Sequence, residues 1–436
     1  MKVLWVCNIM LPAVAKALWQ EYSVREGWLS GILGRLLEET EEQTGVEALE
    51  LGICFPAAGE LSGLSAKLML GSRKKEVSCF GFAEDLNHPE IYDAAMEPRF
   101  AQILKEFEPD LVHIFGTEFP HGLACAKMWN KPERTLVGIQ GLCCACAEHY
   151  MADLPVSVAN SRTFRDILKK DSLQQQRQKF LDRAVNERGL LERTGHITGR
   201  TEFDKKTTAA INPGAVYHFM NETMRSSFYT GCWKLETCNR YEIFISQADY
   251  PLKGFHYLLQ AMPEILTAFP EARIKVAGNS VMGTGGIKSR IKIPAYGKYL
   301  RRLVKENGLE GKVKVLGRLS EEQMKQEYLT AHIFVCPSSV ENSPNSVAEA
   351  QLLGTPVAAS NAGGIPSVVE DKKGGLLFEK GDVKAFAAAV TAIFSDDEKA
   401  MSLSESERVL AAAKYDGEAN YRRLRAIYED MMQEVL

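Results

Sequence analysis

Two glutamates eight residues apart, Glu341 and Glu349, bracket the stretch Ser343-Pro344-Asn345-Ser346, and a Lys-Gly pair, Lys253-Gly254, stands well upstream of them. Carboxylates accept hydrogen bonds from hydroxyl and amide groups, and a lysine supplies a positive charge. The apolar run 333–336 ahead of Glu341 reads as a short strand stopped by Pro337-Ser338-Ser339. Pro344 among capping side chains predicts a helix that runs to Gly354 and carries Glu349. One acid then lies at the carboxyl end of a strand and the other a turn into the following helix, facing one crevice, where open α/β sheets hold their ligands. The free amides at the helix start point there as well and suit a phosphate.

The elements that must position these groups alternate along the whole chain. Strands are expected over 3–7, 46–54, 76–82, 110–115, 134–139 and 215–219, then over 241–246, 273–278, 312–317, 333–336 and 374–378, with helical periodicity between them. That rhythm implies parallel strands joined by crossover helices, an α/β architecture. Trp28, Leu29, Ile32, Leu33, Leu36 and Leu37 form the apolar stripe of the first long helix. Ser320 and Gln323 have capping-box spacing, and Asp382 is placed to cap a further helix. His113 lies on a strand and is read as structural. Residues 162–193 read as one long polar helix, packed on the sheet as a solvated element or receiving an anionic or lipid-linked acceptor at a membrane surface. The stretch 279–292 is a glycine-rich, basic loop, and Arg200 sits at a turn where it could meet a phosphate.

With 436 residues the chain has room for two or three domains. A formal net charge of −4 gives no reason to expect a nucleic-acid partner. Cys143, Cys144 and Cys146 cluster, but the one Cys-x-x-Cys spacing there, Cys143 to Cys146, has no second such pair in the sequence, which fits reduced, cytosolic thiols better than a zinc site or a disulfide scaffold. The start imitates a signal peptide, but Asn8 and Pro12 interrupt its apolar run and Glu21 and Glu26 follow, so a buried first strand is preferred. No apolar run approaches the ~18–20 residues that span a bilayer.

With Gly354-Thr355-Pro356-Val357 and Gly363-Gly364-Ile365-Pro366 following the two acids, the region 335–378 resembles the retaining, nucleotide-sugar-dependent glycosyltransferases of family 4. That resemblance implies the GT-B fold, two Rossmann-like parallel-sheet domains facing across a cleft. Residues 1–220 would be the acceptor domain, 221–236 a linker and 237–414 the donor domain, with 415–436 packing back on the first. It implies metal-independent transfer of a sugar, from a UDP-sugar by preference, to an acceptor hydroxyl in glycan or polysaccharide assembly. The acceptor would be a glycan or a lipid- or protein-linked group. Glu341 would hold donor hydroxyls near the anomeric carbon and Glu349 the ribose hydroxyls. Ser343, Pro344, Asn345 and Ser346, with Lys253, would stabilise the departing diphosphate.

The sequence departs from that pattern at Gln247, where an arginine is expected, and at Gln140, where a histidine is expected. Gln140 can hydrogen-bond a hydroxyl but cannot exchange a proton near neutral pH. Arg318 would border the nucleotide base, and Gly27 is either the remnant of a donor-facing glycine pair or a helix-start residue. No Asp-x-Asp metal motif occurs. A non-catalytic nucleotide-sugar-binding subunit acting with a partner glycosyltransferase, and a nucleotide-sugar epimerase, stay open as alternatives. The expected location is cytoplasmic, with peripheral contact at the inner membrane surface as an option.

Overall fold

The computed structural model describes residues 1–21, 27–38, 49–283 and 292–433. The chain forms two compact units, one of residues 1–144, 180–225 and 415–436, the other of residues 145–179 and 226–414. Glu26, the strand start expected at 46–48, most of the expected basic loop 279–292 and residues 434–436 of the expected returning segment 415–436 lie outside the described residues.

Among the described residues the first unit holds one sheet of eight strands: β1 Lys2–Val6, β2 Glu50–Pro56, β3 Ser65–Leu70, β4 Lys75–Phe82, β5 Leu111–Phe115, β6 Thr135–Gly138, β7 His196–Gly199 and β8 Val216–Phe219. Their order is β3-β4-β2-β1-β5-β6-β7-β8. Every pairing is parallel except β3 with β4, a hairpin that the alternating rhythm did not announce. Its turn uses left-handed backbone at Gly71 and Lys74, which lets the chain reverse without a crossover helix. Strands β1 and β5 are covered on both faces, hence their unbroken apolar runs.

His113 on β5 is fully buried. Its Nδ1 lies 2.7 Å from the hydroxyl of Tyr428 on the helix Gly417–Gln433, and Trp5 Nε1–H donates to that same hydroxyl at 2.9 Å. Burial pushes the imidazole down to about 3, so the hydrogen bond to Tyr428 joins two neutral groups. Arg134 also donates to the Met431 carbonyl at 2.8 Å, so the terminal helix is tied to the first unit. Tyr428→Phe would strand two buried polar groups and should cost about 2–4 kcal/mol in urea unfolding. A loss below about 0.5 kcal/mol would show that neither bond matters.

The second unit holds a six-stranded parallel sheet among the described residues: β9 Asn239–Ile245, β10 Arg273–Ala277, β11 Val313–Gly317, β12 Ala331–Cys336, β13 Val357–Asn361 and β14 Leu376–Glu379, ordered β11-β10-β9-β12-β13-β14. Both sheets reverse direction of growth once, between β1 and β5 and between β9 and β12, and the carboxyl ends flanking such a reversal are where ligands bind. The capping box of Ser320 and Gln323 opens the helix Glu321–Thr330, and Asp382 accepts from the Ala385 amide at 2.9 Å.

Residues 145–179, which the sequence reading kept in the first domain, group with the second unit. Asp166 accepts from the Ala295 amide at 2.9 Å and so closes the start of the helix Ala295–Glu306. His256 Nε2–H and the Tyr257 hydroxyl both donate to the Ala152 carbonyl. The single helix expected over 162–193 is two, Phe164–Lys169 and Leu173–Leu191. Lys170 ends the first in left-handed backbone, and Thr163 with Asp166 forms its capping box.

Candidate functional site

At the reversal point of the second sheet, Lys253 follows β9 and Glu341 follows β12. Their side chains meet, with Nζ 2.6 Å from Oε1 and only 21% and 16% of each side chain exposed. Lys253 ends a short 3₁₀ turn, Pro251–Lys253, and Gly254 begins the next helix, Phe255–Ala268, in left-handed backbone. A Cβ at Gly254 would strike the Pro337 carbonyl, so only glycine lets the β9 loop lie this close to the β12 loop.

Glu341 is held from two further directions. The Ser338 hydroxyl donates to its Oε1 at 2.8 Å, and the Gly364 amide donates to its main-chain carbonyl at 2.8 Å. Gly363, also left-handed, leaves no room for a Cβ against that carbonyl. The Gly-Gly-Ile-Pro turn therefore serves the site by clamping the loop that carries Glu341.

Burial works against the Lys253 ammonium, but Glu341 and Tyr250 more than offset it and hold the group well above the ordinary lysine range. The site thus holds its ammonium charged against a carboxylate partner. Burial and the same carboxylate push the Cys336 thiol up to about 12, so it is no nucleophile.

The helix Asn345–Leu353 starts beside this pair. Pro344 occupies its N-cap with extended backbone and no side chain closes the first turn, which corrects the expectation of capping side chains around Ser343 and Ser346. The reason is positional: Pro344 falls one residue earlier than a first-turn proline would. Ser343, Asn345 and Ser346 are half-buried. The start of a nine-residue helix without a side-chain cap, next to a fixed ammonium, is chemically suited to an anion.

Glu349 does not join the pair. It is 7% exposed, and the buried Tyr328 hydroxyl lies 3.3 Å from its Oε2. Gln247, just past β9, is half-buried, its Cα about 4 Å from where a Gly278 Cβ would stand. Arg318, past β11, is exposed and donates to Asn279 Oδ1 at 3.0 Å, and Asn279 in turn donates to Asp249 at 3.3 Å. The carboxyl edge of β9, β10 and β11 therefore carries a polar row of which the sequence reading named only Gln247 and Arg318.

Gln140 and Gly27 lie in the first unit. Gln140, past β6, accepts from Asn8 Nδ2 at 3.4 Å, and Glu118, past β5, accepts from the Gly141 amide at 2.8 Å. Burial pushes the Glu118 carboxyl up, against the pull of Arg183 and the Gly141 amide. Asn8, Glu118 and Gln140 thus surround the reversal point of the first sheet. Gly27 opens the helix Gly27–Glu38, and a Cβ there would meet the Arg225 side chain, so close packing is a sufficient reason for the glycine. Arg200 is not available to a phosphate as expected: it is 7% exposed and pairs with buried Glu222 at 2.6 Å.

Sequence reading missed Ser338, Asn8 and Glu118. Ser338 lies three residues before Glu341 in the turn already noted, and the other two follow strands β1 and β5, so a search of polar residues just beyond each strand would have found them.

With a Rossmann-like parallel sheet in each unit, the chain has the GT-B fold, as its likeness to solved structures shows. Sucrose-phosphate synthase from Thermosynechococcus elongatus superposes with a TM-score of 0.68 over 99% of both chains at 14% identity. Anabaena HepE, solved with UDP and glucose, gives 0.63 over 99% of this chain and 100% of its own at 16% identity. Residues 235–409 match the family model of glycosyl transferases group 1. A D-inositol 3-phosphate glycosyltransferase of Corynebacterium urealyticum is 31% identical over 180 residues, 41% of this chain and 41% of its own. One from Nocardioides sp. is 33% identical over 153 residues, 34% and 32% of the two chains. The chain spans about two fifths of the length of the curated relatives it matches.

Proposed function

We propose that this protein is a glycosyltransferase that moves a sugar from a nucleoside diphosphate to an acceptor hydroxyl with retention of anomeric configuration and without a metal ion. The observation that carries this reading is the Lys253–Glu341 pair beside the helix start at 345, set at the reversal point of the sheet. Support also comes from the group 1 match over this same unit and from the UDP-glucose bound by the structural neighbour HepE.

In the proposed reaction the bond between the anomeric carbon and the diphosphate oxygen breaks. Lys253 and the amides at the helix start stabilise the negative charge that collects on the diphosphate. The acceptor oxygen forms its bond on the same face of the sugar, and its proton passes to the departing phosphate oxygen. Glu341 holds donor hydroxyls near the reacting carbon while steering the ammonium. Glu349 accepts from the ribose, Gln247 and Arg318 line the nucleotide, and Asn8, Glu118 and Gln140 suit hydroxyl recognition. A UDP-sugar is the favoured donor, with a glycan or a lipid- or protein-linked acceptor in glycan assembly.

A panel of nucleotide sugars screened for a rise in Tm tests the donor, since ligand at about 100 Kd stabilises the folded state by about 2.7 kcal/mol. Transfer in the presence of EDTA should stay within about twofold of the untreated rate, as expected where a fixed ammonium and helix amides replace a cation. Complete loss of transfer in EDTA would contradict metal independence. A donor-binding subunit would bind without transfer or donor hydrolysis, and an epimerase would interconvert donors with no acceptor present.

A further inference from the structure

The short helix Phe164–Lys169 is turned inside out relative to an ordinary surface helix. Its polar Asp166 is 1% exposed and capped into the protein, while Phe164, Ile167 and Leu168, which share one face at spacings of three and four, are 71%, 63% and 73% exposed. Val156, eight residues upstream, is 76% exposed. Three large apolar side chains aligned on one face and presented to water by a capped turn mark a surface suited to a partner.

The charges around that face specify the partner. The acids of the segment are already neutralised, because Arg165 pairs with Asp166 at 3.1 Å and with Asp171 at 2.7 Å. Arg162, Lys169 and Lys170 are exposed beside the apolar face. Through Asp166 the segment abuts the start of the helix Ala295–Glu306. A recess of about 850 Å³ there has an apolar floor that includes Val158, Val304 and Leu309, and its polar rim carries Ser157, Ser161, Lys298, Arg301, Lys305 and Arg302, with Glu310 as its acid and Glu306 3.8 Å from Arg302. Apolar side chains ringed by lysine and arginine, beside a basic recess with serine hydroxyls, match the layered chemistry of an anionic bilayer surface. A protein interface would be depleted in lysine at this position.

We infer that residues 156–170, with the basic face of the helix Ala295–Glu306, form a peripheral docking surface for a membrane containing anionic phospholipid. Phe164, Ile167 and Leu168 enter the headgroup boundary, and the cations of the recess receive phosphate headgroups. Among the described residues no helix is long and apolar enough to cross a membrane, so the contact is one of lying on the surface.

The test is sedimentation of the full chain with vesicles of phosphatidylcholine alone and of about three parts phosphatidylcholine to one part phosphatidylserine. Wild type should pellet with the anionic vesicles at least about tenfold more tightly than with the neutral ones. Phe164→Ser, Ile167→Ser and Leu168→Ser together should weaken that binding at least about tenfold with an unchanged Tm, because the side chains are already in water. Lys298→Gln, Arg301→Gln and Lys305→Gln together with Arg162→Gln and Lys169→Gln should abolish the preference for the anionic composition. Absence of pelleting with either vesicle, or equal binding by wild type and the triple variant, overturns the inference. So does a concentration-dependent dimer in light scattering that the triple variant loses while vesicle binding is absent, which would assign the face to a second copy of the chain.

Discussion

Replacing Lys253 with alanine is expected to lower kcat/KM for transfer from a UDP-sugar by about a hundredfold to a thousandfold, roughly 3–4 kcal/mol of transition-state stabilisation. The effect is large because Gln247 stands where a second cation would be expected, and Arg318 is exposed and engaged with Asn279. The ammonium is mostly shielded from solvent, so its field is screened less than that of a surface lysine. The same change leaves Glu341 held through the Ser338 hydroxyl without its cation, and some loss of stability will accompany it. Measuring Tm beside kcat/KM for the Lys253→Ala variant, at a temperature well below its Tm, separates the two effects. If Lys253→Ala keeps kcat/KM within about threefold of wild type while its Tm falls, the lysine is only a structural partner of Glu341 and the proposed diphosphate role fails.

Glu341→Ala is expected to reduce kcat by about a thousandfold, and Glu341→Gln by about a hundredfold. Glutamine retains an acceptor for the Ser338 hydroxyl but no longer anchors the ammonium or offers a charged acceptor to a donor hydroxyl. Donor affinity measured by calorimetry should change less than kcat, because Lys253 and the helix amides still face the diphosphate. This separation distinguishes an enzyme from a donor-binding subunit. In a subunit, Glu341→Ala would leave the activity of its partner largely intact, and neither variant would alter any turnover by this chain.

Much of the second unit was legible in its residues. The strand-helix rhythm from β9 to β14 is local, since a parallel strand covered on both faces must be written as a continuous apolar run. The Ser320 and Asp382 caps are likewise decided within a few residues. The antiparallel strand β3 was not legible, because an edge strand half open to water has no uniform pattern and its partner is chosen by a turn. Nor was the break at Lys170, where the polar composition on both sides disguised a change from one helix to another. Arg200 shows the same limit from the site's side: a turn arginine reads as a free cation until the fold brings Glu222 against it.

The sequence by itself determined the α/β rhythm and the order in which the acids, the lysine and the glycine turns occur. Those depend on local backbone preference and apolar periodicity, which short stretches of chain carry. The tertiary structure alone decided that Lys253 and Glu341 touch, that Glu349 turns to Tyr328 instead of joining them, and that Ser338 and the Gly363 turn hold the site in place. Such contacts join residues far apart in the chain, and they are fixed by which strands become neighbours in the sheet.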